Sequence, residues 1–182
     1  MYDRLHEFVD SGKPVIGVCN GFQILVKAGI LPGITDSQDA TLTFNDSGKF
    51  ECRWIRVKNV NRGSCLWSRN LDTLELPVAH GEGKFVPRDR SVLKQLQDNN
   101  QIVFKYVDGQ GSKSGYPHNP NGSVADIAGI CNKKGNVLGM MPHPERYLSS
   151  YNHPRWTRLK MPEEGLGLKI YRNAVEYAEE HK

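Results

Sequence analysis

Lys13-Pro14-Val15-Ile16-Gly17-Val18-Cys19-Asn20-Gly21-Phe22-Gln23 is the stretch on which the reading of this chain turns. Val15 to Val18 is a short apolar run with punctuation before it, the form of a buried parallel strand. Phe22, Leu25 and Val26 then recur at helical period, and Gly29 ends that helix. A strand that passes at once into a helix through Gly17-Val18-Cys19-Asn20-Gly21 is the sequence form of a nucleophile elbow, with cysteine where hydrolases carry serine. Small residues on both sides leave room for a sharp turn and for close approach of a neighbouring strand. The sulfur is expected at the carboxyl end of the sheet, at a helix N-terminus whose dipole favours thiolate. The amide of Asn20 is placed to stabilise an oxyanion. The same pattern also fits a glycine-rich turn around an inert thiol, so Cys19 needs a proton carrier to count as a nucleophile.

Of six histidines, His143 is the candidate. It lies in Met141-Pro142-His143-Pro144-Glu145-Arg146, directly after an apolar strand. Its flanking prolines are expected to keep the segment extended. Residues two apart then share a face, which brings the Glu145 carboxylate to the His143 ring. Nucleophile, base and orienting acid together follow the logic of a catalytic triad.

Outward from this pair the chain alternates helix and strand. Leu5, Phe8 and Val9 mark a short first helix closed by Gly12. The polar stretch from Pro32 to Ser47 reads as a surface loop. Phe50, Cys52 and Trp54 alternate and then slip to Ile55 and Val57, which predicts a strand with a bulge. Leu74 to Ala79 predicts a strand that Pro77 assigns to an edge, running into His80-Gly81-Glu82-Gly83. Leu93 and Leu96 mark a helix, Ile102 to Val107 a strand, and Asp108 to Gly122 a long loop. Val124 to Cys131 and Asn136 to Met141 predict a hairpin about Lys133-Lys134-Gly135. A last helix from near Gly165 is expected to bury Leu168, Tyr171 and Val175. No internal repeat or linker interrupts the pattern. The expectation is one α/β domain over residues 1–182, a three-layer αβα sandwich of flavodoxin-like type. Its central sheet is expected to be mostly parallel, with an antiparallel hairpin near the edge.

Composition excludes several functions. Lys and Arg exceed Asp and Glu by only 24 to 20, and the charge is evenly spread, so neither a nucleic-acid nor a membrane surface is indicated. No apolar run approaches the roughly 20 residues of a membrane span. The opening residues alternate in charge, unlike a signal peptide, and the chain reads as cytoplasmic. Cys19, Cys52, Cys65 and Cys131 form no Cys-x-x-Cys pair, and no His-Glu-x-x-His occurs, so no metal site is expected. There is no P-loop.

Gly17-Val18-Cys19-Asn20-Gly21-Phe22-Gln23 with His143-Pro144-Glu145 resembles the class I (triad) glutamine amidotransferases. Pro77-Val78-Ala79-His80-Gly81-Glu82-Gly83, Asn119-Pro120-Asn121-Gly122-Ser123 and Gly139-Met140-Met141-Pro142-His143-Pro144-Glu145-Arg146 are similar to one branch, the separate glutaminase subunit of phosphoribosylformylglycinamidine synthase. These motifs run in family order over most of the chain. The resemblance implies that Cys19 attacks the side-chain amide of glutamine, His143 protonates the departing ammonia, and water then cleaves a glutamyl thioester. It implies that Gln23 faces the substrate pocket and that His80, Gly81, Glu82 and Gly83 form part of its wall. It implies no cofactor in this chain. ATP and magnesium are expected on a synthetase partner, with a small accessory subunit as a further partner. Alternatives are a glutaminase serving another synthetase and a non-catalytic assembly subunit.

One departure is expected to matter. The family carries a first strand and a Gly-rich loop ahead of the segment with which this sequence opens, and that loop supplies a second oxyanion donor. Without it, about 3 kcal/mol of transition-state stabilisation is missing, on the order of a hundredfold in rate, and an inner sheet edge lies open.

Overall fold

The described residues form eight strands and four helices, most of them at the apolar runs above. In chain order they are α1 (Tyr2–Asp10), β1 (Val15–Val18), α2 (Asn20–Lys27), β2 (Ala40–Thr43), β3 (Glu51–Asn59), β4 (Thr73–His80), β5 (Lys84–Pro87), α3 (Arg90–Asp98), β6 (Ile102–Val107), β7 (Ile127–Cys131), β8 (Val137–Met140) and α4 (Leu168–Glu180). The structure, a computed structural model, describes residues 2–35, 37–113 and 115–181. The expected domain of residues 1–182 also takes in Met1, Asp36, Ser114 and Lys182, which lie outside the described residues.

Six strands form one sheet in the order β1-β8-β7-β6-β3-β4, and β2 pairs with β5 in a separate antiparallel ribbon. Helices cover both faces of the sheet. On one, Val9 of α1, Phe22 and Leu25 of α2 and Val92 and Leu96 of α3 pack with Ile102, Ile130 and Val137. On the other, Ile170 and Ala174 of α4 pack with Val57, Leu76, Val103 and Leu138. The expected three layers are therefore present. The direction of pairing is not as expected: within the sheet only β1 with β8 is parallel, and the other four described pairs are antiparallel. The reason lies in the connections. Parallel neighbours need a crossover of a dozen or more residues, usually a helix, whereas β7 and β8 are joined through residues 132–136. Among the described residues no α-helix stands between β3 and β4 or between β6 and β7.

Four local expectations change as well. The loop read over residues 32–47 contains β2, a strand of four residues whose short polar alternation carries little signal. The bulge expected in β3 is absent, since its pairing with β4 runs unbroken from Glu51 opposite His80 to Lys58 opposite Thr73. The slip in apolar pattern arises because Phe50 and Cys52 are exposed while Glu51 is buried. Val124–Asp126 forms a 3-10 turn, with Ala125 and Asp126 at φ 54° and 59°, so β7 starts three residues later than expected. In α4 the buried residues are Ile170, Asn173 and Ala174, and Val175 is exposed. Asn173 hides the true stripe because a polarity reading rejects it. Its amide is satisfied by the carbonyls of Trp67 and Arg69 at 3.0 and 2.9 Å.

Candidate active site

β1 ends at Val18 and α2 begins at Asn20, so Cys19 alone makes the turn, at φ 53° and ψ −107°. A side chain held there is strained by about 1–3 kcal/mol, so its surroundings must over-determine it. The Cys19 N–H donates to the Met140 carbonyl at 2.9 Å, and the Gln23 N–H donates to the Cys19 carbonyl at 3.1 Å. Gly17 supplies the space: a Cβ on it would lie 2.6 Å from the backbone carbonyl of Gly21 and 2.5 Å from Leu25 Cδ1. Gly139 of β8 does the same for the Phe22 ring, which a Cβ would meet at 2.2 Å. These two glycines let the first turn of α2 settle directly on β1 and β8. Gly21 has open space around its missing Cβ, so it plays no such part.

β1 and β4 are opposite edges of the sheet, yet their carboxyl ends meet, with Cys19 Sγ 4.0 Å from the Ala79 carbonyl. His143 joins them there, because its N–H donates to the Pro77 carbonyl of β4 at 2.8 Å. The segment after His143 is not extended as expected. Pro144–Arg146 is a single 3-10 turn with Pro144 in its first position, where a proline's fixed φ and missing N–H cost nothing. Glu145 still reaches back, its Oε1 lying 2.5 Å from His143 Nδ1. The opposite ring nitrogen, Nε2, is buried without a hydrogen-bond partner.

Burial pushes the Cys19 thiol above its ordinary value, the neighbouring Asn20 N–H pulls it down, and the Glu145 carboxylate adds to the rise. The sequence suggested a thiolate favoured by the helix end. The structure raises the thiol instead, because desolvation outweighs the amide and the nearby carboxylate adds to the rise.

Cys19, Asn20, Gln23, His80, Gly81, Glu82 and His143 line one cleft of about 540 Å³, with Phe50 and Ala79 completing it. Glu145 stands behind His143. Gln23 donates through Nε2 to the Glu82 carbonyl at 2.8 Å, so it braces the wall as well as facing the cleft. Gly83 is buried and lies beneath the wall, against the His80 ring. Burial lowers His80 to about 4, helped by the charge of His143 and opposed by the Glu51 carboxylate, which leaves a neutral imidazole at neutral pH. Sequence reasoning missed Asn45, which holds this wall, because a lone asparagine in a polar stretch carries no signal. It also singled out Asn119 to Ser123 without a role; Asn121 and Ser123 bond to the Gly83 carbonyl at 2.8 and 3.4 Å. No group of His, Cys, Asp and Glu suited to a metal occurs among the described residues.

A cysteine on a strained strand-to-helix turn and a carboxylate-backed histidine, carried by a three-layer α/β fold, are the marks of the cysteine-dependent glutamine amidotransferases. The chain belongs to the family of CobB/CobQ-like glutamine amidotransferase domains, which it matches over residues 1–178. It is 47% identical over 178 residues to the phosphoribosylformylglycinamidine synthase subunit PurQ of Dehalococcoides mccartyi, an alignment covering 97% of this chain and 68% of that protein. The subunit of the same name from Methanococcus maripaludis is 40% identical, covering 97% and 70%, and that from Treponema denticola is 48% identical, covering 79% and 60%. Among solved structures, that of PurLQS from Thermotoga maritima superposes with a TM-score of 0.71 at 28% identity, over 97% of this chain and 68% of that one. The chain thus spans roughly two thirds of the length of these relatives.

Proposed function

We propose that this chain is the glutaminase subunit of a phosphoribosylformylglycinamidine synthase, hydrolysing glutamine to glutamate and ammonia for a synthetase partner. The observation that carries the reading is that Cys19, Asn20 and His143 meet in one cleft of a chain 47% identical to a subunit of that name. His143 Nε2 takes the proton of the Cys19 thiol as Sγ attacks the carboxamide carbon of glutamine. Glu145 holds the proton on Nδ1, which leaves Nε2 as the acceptor. The Asn20 N–H stabilises the tetrahedral oxyanion. The carbon–nitrogen bond then breaks, His143 returns the proton to the nitrogen, and ammonia leaves behind a glutamyl thioester. Water, deprotonated by His143, attacks the thioester carbonyl and releases glutamate and the thiol. Gln23, His80, Gly81 and Glu82 form the substrate-side wall, and Gly83 supports it from beneath.

No ATP or magnesium is assigned to this chain; both belong with the synthetase partner, which uses the ammonia to convert formylglycinamide ribonucleotide to its amidine. A small accessory subunit fits the same assembly. Among the described residues no helix is long and apolar enough to cross a membrane, and a cytoplasmic place suits the role.

The test is treatment with a glutamine-like diazoketone followed by mass mapping of the adduct. Cys65 and Cys131 are buried and Cys52 is exposed, so access alone favours Cys52. Labelling of Cys19, competed by glutamine, is the expected result. Equal labelling of Cys52 would refute the nucleophile assignment.

A further inference from the structure

Gly83 does not reach the cleft, yet its peptide groups are gripped from both sides. Its N–H donates to Asn45 Oδ1 at 3.0 Å, and its carbonyl accepts from Asn121 Nδ2 at 2.8 Å. Asn45 is itself buried, at 3% exposure, and holds most of the wall. Its backbone N–H donates to the Gly81 carbonyl at 2.9 Å. Its Nδ2 donates to the carbonyls of His80 and Lys49, both at 2.8 Å. Its Oδ1 also lies 3.1 Å from His80 Nδ1.

These contacts fix the orientation of the amide. Nδ2 faces two carbonyls and Oδ1 faces a backbone N–H, so turning the group round would set like against like three times. Oδ1 is therefore an acceptor, and His80 Nδ1 must carry the hydrogen between them. A neutral imidazole has one N–H, so the lone pair falls on Nε2. That atom is buried and has no hydrogen-bond partner, on a residue that lines the cleft with Cys19 and His143. The charged and titratable groups acting on the ring are His143 and Glu51. The space is closed from behind, since a Cβ on Gly83 would lie 2.5 Å from His80 Cε1, 2.6 Å from Nδ1 and 2.8 Å from Nε2.

We propose that Asn45 is a positioning residue for the glutamine cleft, locking His80 as the neutral Nδ1–H tautomer where it packs on Gly83 behind the wall. The proposal rests on the glutaminase reading for its role in catalysis, whereas the tautomer itself does not depend on that reading.

The deciding measurement is long-range ¹H–¹⁵N correlation of the histidine rings in the full chain, with His80 assigned through His80→Gln. At neutral pH the His80 Nδ1 should give a pyrrole-type signal and Nε2 a pyridine-type signal. An Nε2–H tautomer or an imidazolium in the unmodified chain would overturn the proposal. Asn45→Asp keeps an acceptor opposite Nδ1 but adds a negative charge, and should convert His80 to imidazolium. With the synthetase present, it should also raise the KM for glutamine about tenfold while changing kcat less. An unaltered His80 signal and an unaltered KM in Asn45→Asp would equally refute it. If the diazoketone fails to label Cys19 while the tautomer is as stated, the glutaminase reading fails and the lock stands.

Discussion

Burial and the Glu145 carboxylate raise the Cys19 thiol, so the proposed mechanism needs a base in the cleft. This places the burden on His143, whose Nδ1 is held by Glu145. Glu145→Gln should keep the fold and Cys19 labelling but lower glutamine turnover by about a hundredfold, the low end of the range for general acid–base catalysis. The check is steady-state glutamate release with the synthetase present, and full activity in the variant would remove Glu145 from the triad. His80 supplies a second test at the same scale. Its ordinary value is 6.5 and its folded value about 4, so the unfolded chain takes up the proton first as pH falls. The neutral ring's contribution to stability is complete above about pH 6.5 and is lost as pH drops toward about 4. Between pH 7.5 and 4.5 the native chain should lose about 2 kcal/mol more stability than His80→Gln, as read from urea unfolding. Equal losses would show that His80 is not held neutral.

The β1–α2 turn shows how two glycines that read alike act differently. Gly17 has no room for a Cβ, because the obstacle is the backbone of Gly21 and not a flexible side chain end alone. Gly17→Ala should cost about 1–3 kcal/mol through overpacking and should slow diazoketone labelling by displacing Cys19. Gly21, inside α2 and facing open space, should accept alanine with a gain of up to about 1 kcal/mol from helix propensity and reduced unfolded-state freedom. Urea unfolding of the two variants checks both signs. A similar loss in each would mean that the turn, and not the packing of Gly17 on α2, sets the limit.

For the molecule as a whole, the curl of the sheet sets the geometry of the cleft. It brings the ends of two opposite edge strands together, so that β1 carries Cys19 while β4 provides His80 and the carbonyl that anchors His143. The interior strands β6 and β7 hold this shape, with β7 buried along its whole length. Their amides should therefore exchange with deuterium most slowly, and those of the four-residue ribbon strand β2 much faster. Hydrogen-exchange mass spectrometry tests this. Protection of β2 equal to that of β7 would show that ribbon and sheet open together.

Local pattern alone located the strand-to-helix turn at Cys19, the contact of His143 with Glu145 and the hairpin about Lys133-Lys134-Gly135, because each is written within a few consecutive residues. Periodicity located α2, β6 and the edge strand β4, where apolar side chains and Pro77 record burial and position. It did not locate the buried stripe of α4 or the in-out register of β3, since Asn173 is a polar residue whose partners lie far along the chain and Glu51 is a buried carboxylate paired with Arg53. The pairing directions of the sheet, the upward push on the Cys19 thiol and the hub at Asn45 were decided only by the tertiary structure. Each depends on groups tens of residues apart in sequence, and both desolvation and hydrogen-bond partners exist only once the chain has closed around them.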